Sequence, residues 1–154
     1  MAKEMLIEKN VSVDKDISAV FDFLKETKNQ DKFSVWNMKD PNMKKTYSGT
    51  DGSKGFVYSW DSRDKSVGAG SQEIIDITEG ARIDYLMRFV RPMQNTATSS
   101  FILHKINEHS TSVTWTFRGQ TTFPMSLFAP VFKNMLGKQL QQSLQNLKLL
   151  LEKE

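Results

Sequence analysis

Residues 5–13, MLIEKNVSV, alternate weakly between apolar and polar side chains and are rich in β-branched residues, which predicts a first strand. The spacing then changes. Ile17, Val20, Phe21 and Leu24 recur at helical intervals behind Asp14, which is placed to cap a short amphipathic helix. Residues 27–45 are polar and irregular, with Phe33, Val35, Trp36, Met38 and Met43 embedded in them. From Thr46 a period of two sets in. KTYSGT, FVYSW, VGAGSQEIIDI, RIDYLMRFV, TSSFILHKI and TSVTWTFRG read as six strands, punctuated by turn chemistry such as DGSKG, DSRDKS, TEGA and NEHS. Such short connections predict an antiparallel meander. A long helix closes the chain.

This order predicts an α+β fold with helices to one side of an antiparallel sheet. About seven strongly twisted strands tend to curl, and the terminal helix is the object to curl around.

Alternation sorts the faces, because residues two apart on a strand point the same way. Phe56, Tyr58 and Trp60 share one side, as do Ile83, Tyr85, Met87 and Phe89, and Val113, Trp115 and Phe117. Ser59, Arg82, Asp84, Arg88, Thr114, Thr116 and Arg118 take the opposite, wet side. The aromatic inner face has two readings: rings that fill a core, or Tyr and Trp lining an apolar pocket with a few hydrogen-bonding points. Gly68 and Gly70 share a strand face with Gln72 and Ile74, which makes Gln72 the leading polar candidate inside; the alternative puts it at the sheet margin. The GAG at 68–70 has neither the third glycine nor the following helix of a dinucleotide loop.

At about 100° per residue, Phe128, Val131, Phe132 and Met135 cluster on one side of the last helix, facing Tyr58, Tyr85 and Trp115. Leu136, Leu140, Leu144, Leu147 and Leu151 cluster a quarter-turn or more away. Residues 125–136 are therefore expected to form the lid or wall of a cavity and 137–152 its anchor, with core filling as the alternative. Pro130 either kinks this helix or sits in its first turn, and Trp36 is placed to plug one end of the barrel-like space.

Composition narrows the chemistry. At 154 residues the expectation is one domain spanning 1–154. A net charge of +3 with dispersed lysines gives no nucleic-acid signature. There is no cysteine, which excludes disulfides and thiol nucleophiles. The charged N-terminus MAKEMLIEKN and the lack of an apolar run near 18 residues point to a cytoplasmic protein without integral membrane contact. His109 falls in a turn and His104 reads as a packed strand histidine, so neither a metal site nor a cofactor is expected. The serines lack a nucleophile-elbow sequence, and Glu73, Asp76 and Asp84 read as exposed.

Several motifs in order resemble one family: Asp31, Trp36 and Asp40-Pro41 after the first helix, then GFVYSW and GAG, LMRFVRP at 86–92, TSVTW at 111–115 and SLQNLKLLLE at 143–152. Over about residues 5–152 they resemble the polyketide cyclase/dehydrase-like branch of the START-like, helix-grip superfamily (SRPBCC), which includes pollen allergens and lipid carriers. The chain departs from the pattern at Phe33, where a Trp is common, and at Ser143, where a Gly usually precedes the Leu. The resemblance implies a helix-grip fold, a seven-stranded antiparallel sheet gripping the C-terminal helix over a hydrophobic cavity. It puts Trp36 near the cavity end, Trp60 and Gln72 on facing strands and Trp115 on the last strand.

Together these readings predict a ligand site of Trp36, Tyr58, Trp60, Gln72, Ile74, Tyr85, Met87, Phe89, Phe101, Trp115, Phe117, Phe128, Phe132 and Met135. The expected role is binding of a small hydrophobic or amphipathic molecule, such as a lipid or polyketide-like compound, by a monomer or weak homodimer. The alternatives are a cyclase or dehydratase, in which Tyr58, Tyr85 or Gln72 polarise a carbonyl but no base is evident, and a co-chaperone-like interaction module.

Overall fold

Seven antiparallel strands run in the order β1-β7-β6-β5-β4-β3-β2 in the computed structural model, which describes residues 3–91, 94–121 and 129–153. They are β1 (Lys3–Val13), β2 (Lys44–Ser48), β3 (Val57–Asp61), β4 (Ala69–Thr78), β5 (Arg82–Arg91), β6 (Asn95–Asn107) and β7 (Ser110–Thr121). Between β1 and β2 lie α1 (Ile17–Leu24), a 3-10 helix (Thr27–Lys32) and α2 (Val35–Met38); α3 (Ala129–Glu152) closes the chain. The curved sheet, the long C-terminal helix and the short helices after β1 make this the helix-grip fold.

Register explains how the inner face is shared among strands. One row crosses the whole sheet: Tyr47, Tyr58, Gln72, Met87, Ala97, Gly119 and Met5 are successive cross-strand partners. Trp60, Gly70 and Phe89 form the adjacent row on one side. Ile74, Tyr85, Ser99, Phe117 and Ile7 form the next on the other side, followed by Ile83, Phe101 and Trp115. A register shift between Ile74 and Asp76 brings Ile77, not Asp76, opposite Ile83, which keeps a carboxylate out of the core.

The helix α3 runs along β1. A Cβ at Gly137 would meet Lys9 Cε at 3.2 Å, Gln141 donates to the Asn10 carbonyl, Lys148 to the Ser12 carbonyl, and the Asp14 N–H donates to Glu152 at 2.7 Å. Its other side is fastened to α2, where Ser143 Oγ accepts from the Val35 N–H at 2.9 Å and Asn146 donates to the Phe33 carbonyl. Leu144, Leu147 and Leu151 are fully buried, as the expected anchor requires. Pro130 lies in the first turn, where a missing N–H costs no helical bond.

The cap of α1 is Asp16, whose carboxylate accepts from the Ala19 N–H, rather than the expected Asp14. The 3-10 helix is held from outside: Asp51, in the β2–β3 loop, accepts from the N–H groups of Thr27 and Lys28. Beneath it Phe33, fully buried, packs against Phe23, Phe101 and Trp115 with ring centroids 5.9–6.2 Å apart. Phe33 therefore fills this end of the interior, while Trp36 is partly buried and packs against the core.

Gly68 departs from the expected strand, having φ of +69° just ahead of β4. His104 is exposed on β6 rather than packed. On the outer face Arg82 pairs with Asp84, Arg88 with Glu73 and Arg118 with Glu4. Among the described residues no helix is long and apolar enough to cross a membrane, and no cluster of three metal-ligating side chains occurs.

Candidate functional site

Between α3, α2 and the inner face of β3–β7 lies a cavity of about 100 Å³. The sheet supplies Tyr58, Trp60, Gln72, Met87, Phe89, Ser99, Trp115 and Phe117 as its floor. Gln30, Ser34, Trp36, Asn37 and Met43 close one side, and Phe132, Leu136, Gln139, Leu140 and Ser143 of α3 the other. Among the described residues, none of those lining it carries a charge.

Gly70 shapes this floor. An added Cβ there would fall 2.9 Å from the Trp60 ring and 2.5 Å from the Arg88 carbonyl oxygen. Trp60 therefore lies directly over the glycine and edge-on to Phe89, with centroids 6.0 Å apart.

Of the expected site residues, nine line the cavity: Trp36, Tyr58, Trp60, Gln72, Met87, Phe89, Trp115, Phe117 and Phe132. Ile74, Tyr85 and Phe101 do not. They are fully buried, and the Tyr85 and Phe101 rings join the cluster under Phe33, which occupies the space they would otherwise border. Met135 points outward at 45 % exposure, and Val131 beside it at 75 %; neither faces Tyr58, Tyr85 or Trp115 as the wheel had suggested. Phe128 and residues 125–127 lie outside the described residues.

Three of the polar-tipped rings, Tyr58, Trp60 and Trp115, are satisfied by the protein itself. Trp60 Nε1 donates to the Val67 carbonyl, Trp115 Nε1 to Ser99 Oγ, and Ser99 in turn to the Thr116 carbonyl. The Tyr58 hydroxyl donates to Asp31 Oδ1 at 2.6 Å, and the same carboxylate accepts from Asn37 and Lys45, both at 3.0 Å. Burial first, then this acceptor and its negative charge, push the Tyr58 hydroxyl far above its ordinary pKa, so it stays protonated.

The open valences lie elsewhere. Gln72 donates to Gln30 Oε1 at 3.3 Å, while among the described residues Gln30 Nε2 and Gln139 Oε1, both fully buried atoms, meet no partner in hydrogen-bond geometry. Next to Gln30, the Tyr85 hydroxyl and Thr27 Oγ1 also lack partners. Gln30 and Thr27 stand close enough to draw the Tyr85 pKa down, against a larger upward push from burial, yet neither meets the hydroxyl in hydrogen-bond geometry.

Sequence reasoning missed Gln30, Ser34, Asn37, Met43, Ser99 and, on α3, Gln139, Leu140 and Ser143, whereas Leu136 lies in the expected wall. One signal was present: Gln139 and Ser143 interrupt the stripe of Leu136, Leu140, Leu144 and Leu147 at helical spacing, polar groups on a face otherwise committed to burial. Gln30 has no such signature, because a 3-10 turn imposes no long period.

No family model matches the chain, and no curated protein matches it in sequence. Solved structures do match in fold. An uncharacterised protein from Rhizobium leguminosarum is 16 % identical, with a TM-score of 0.65 over 100 % of this chain and 98 % of its own. Norcoclaurine synthase from Thalictrum flavum, in complex with dopamine and hydroxybenzaldehyde, is 10 % identical at TM-score 0.69, covering 99 % of this chain and 90 % of its own. The Aha1 dimer from Colwellia psychrerythraea is 14 % identical at TM-score 0.64, covering 94 % and 93 %. At these identities the likeness is one of fold.

Proposed function

We propose that this chain binds a small, largely apolar molecule in the cavity beneath α3. The observation that carries this reading is an uncharged, mostly apolar enclosure to which seven aromatic rings contribute. Its size refines the expected ligand. An apolar cavity of about 150 Å³ holds benzene, so at about 100 Å³ this one is too small for a long acyl chain and takes a single ring only as its walls give a little. A lipid or polyketide-like chain would require the first turns of α3 to move outward.

Native mass spectrometry of freshly purified protein tests this by looking for a retained small molecule, with a thermal-shift screen of ring-sized lipophiles beside it. The expected results are an adduct or a saturable rise in Tm, abolished by Leu136→Trp, which fills the cavity from α3. No adduct and no shift across the panel would refute the proposal.

The enzymatic alternative, a cyclase or dehydratase, gains a carboxylate in Asp31, 2.6 Å from the Tyr58 hydroxyl. That carboxylate lies behind the lining and is held by three donors. Its geometry orients Tyr58, and a substrate proton reaches it only if Tyr58 turns away. Turnover of a carbonyl substrate that is lost in Asp31→Asn, with binding retained, would favour the enzyme.

A further inference from the structure

Gln72 stands in the middle of the cavity floor. On β4 it lies between its cross-strand partners Tyr58 and Met87, which line the same space. Whatever surface its side chain keeps on the inner face is therefore turned to the cavity. The residue is only 7 % exposed, and its carboxamide is held at one end, where Nε2 donates to Gln30 Oε1 at 3.3 Å. The other end, Oε1, meets no donor among the described residues, and unlike Gln30 Nε2 and Gln139 Oε1 it is not a fully buried atom. It is an open acceptor in an apolar enclosure.

The direction of this amide is set from behind. Gln30 turns its Nε2 toward the Tyr85 hydroxyl, close enough to draw the Tyr85 pKa down, and presents Oε1 to Gln72. An acceptor at that point makes Gln72 Nε2 the donor and leaves Gln72 Oε1 for the cavity.

The donors of the lining are meanwhile spent on the protein. Tyr58 and Asn37 donate to Asp31, Trp60 to the Val67 carbonyl and Trp115 to Ser99. Ser99 and Ser143 donate to the carbonyls of Thr116 and Gln139. The Gln139 side chain is partly exposed, and no described residue holds its Nε2 in place. Among the described residues no lining side chain carries a charge, so an ion placed there loses its hydration uncompensated.

We infer that the cavity selects, among small neutral molecules, one that carries a hydrogen-bond donor, its O–H or N–H directed at Gln72 Oε1, with Gln30 as the positioning residue behind it. This rests on the binding reading above and names the polar group of the ligand. A donor fills the open valence of Gln72, whereas a molecule with an acceptor alone gives up its hydration and gains no fixed partner.

Phenol, benzaldehyde and toluene separate these cases in calorimetric titration of the intact protein at neutral pH, where phenol, like the tyrosine side chain, is un-ionised. Phenol offers a donor, benzaldehyde only an acceptor, and toluene neither. Phenol is expected to bind about tenfold more tightly than benzaldehyde, the worth of one hydrogen bond inside a protein. In Gln72→Met, which keeps the side-chain length and removes the acceptor, the two are expected to bind within about twofold of each other. In Gln30→Met the Gln72 carboxamide is free to turn either end inward, so benzaldehyde is expected to gain on phenol; a Gln30 that served packing alone would weaken both alike. The wild-type comparison stands even if either variant fails to fold. Benzaldehyde binding as tightly as phenol, or a tenfold preference that persists in Gln72→Met, overturns the inference and leaves the cavity as a binding site. Binding of toluene alone does the same. Binding of none of the three overturns the inference and the reading beneath it together.

Discussion

Gly70→Ala is the sharpest test of the geometry that shapes the cavity floor. The added methyl would lie 2.5 Å from the Arg88 carbonyl oxygen and 2.9 Å from the Trp60 ring, where ordinary contact begins at 3.4 Å. A flexible side-chain tip can give way, but Arg88 O belongs to the β4–β5 ladder, in which Ser71 and Arg88 are partners. Overpacking of this kind costs about 1–3 kcal/mol, set against about 0.4–1 kcal/mol gained because alanine restricts the unfolded chain. At about 2–4 °C per kcal/mol for a chain of this length, the net expectation is a fall in Tm of several degrees, with a changed Trp60 emission as the indole is displaced. Gly119→Ala is the matched control. Its methyl would meet Ala97 Cβ and the Phe117 ring at 3.5 Å, ordinary contact, so the entropic gain is expected to leave stability unchanged or slightly higher. Thermal and urea denaturation of the two variants decide the matter. If Gly70→Ala is as stable as Gly119→Ala, the close approach of β5 and Trp60 is not what fixes glycine at this position.

Tyr58 and Tyr85 are both held protonated above their ordinary pKa, in each case chiefly by burial. The unfolded chain therefore releases their protons near pH 10 while the folded chain keeps them. Their contribution is fully present below pH 10 and lost as the pH rises beyond it, so the urea midpoint should fall steadily above pH 10, less steeply in Tyr85→Phe. At pH 7 the same Tyr85→Phe change removes a buried hydroxyl without a partner and is expected to be neutral or stabilising; a loss of more than about 2 kcal/mol would show that the hydroxyl is bonded after all. Ser143 Oγ bridges the Val35 N–H and the Gln139 carbonyl, so Ser143→Ala should cost about 1–3 kcal/mol and speed hydrogen exchange at Val35, whereas unchanged exchange there would mean that α2 is not fastened through this side chain.

The strands were legible because a half-buried antiparallel sheet writes its faces directly into a period of two. All seven appear in the sequence to within a few residues, and the inner-face sets built on Tyr58, Met87 and Trp115 are inner-face sets in the structure. The wall opposite was not legible. Residues 27–43 make only a six-residue 3-10 helix and a four-residue α2, too short for any periodicity, so neither Gln30 at the cavity nor Phe33 above Phe101 has a sequence signature. That blind spot accounts for Ile74, Tyr85 and Phe101: each does point inward, and only the placement of Phe33 decides that they meet packing rather than open space. The cap was ambiguous for a related reason. Asp14 and Asp16 are two residues apart; the end of β1 lies against α3, where the Asp14 N–H meets Glu152, and it is Asp16 that accepts from the Ala19 N–H.

The terminal helix shows what a sequence wheel alone does not resolve. Its leucine half behaves as an anchor, with Leu144 and Leu147 at 0 % exposure, but its bulky first half is only partly used by the fold. Phe132 and Leu136 reach the cavity, while Val131 and Met135 remain in solvent. Stability along one helix then has to be uneven, because local opening tracks the apolar contacts that must be broken. In native-state hydrogen exchange, amides from 140 to 151 are expected to exchange only through global unfolding, and those from 133 to 136 through a smaller opening with weaker dependence on denaturant. Such an opening would move Phe132 and Leu136 away from Trp60 and Phe117, which is the displacement that a ligand longer than one ring requires. Uniform protection from one end of α3 to the other would show a single rigid cylinder, and would confine the cavity to molecules no larger than its present walls admit.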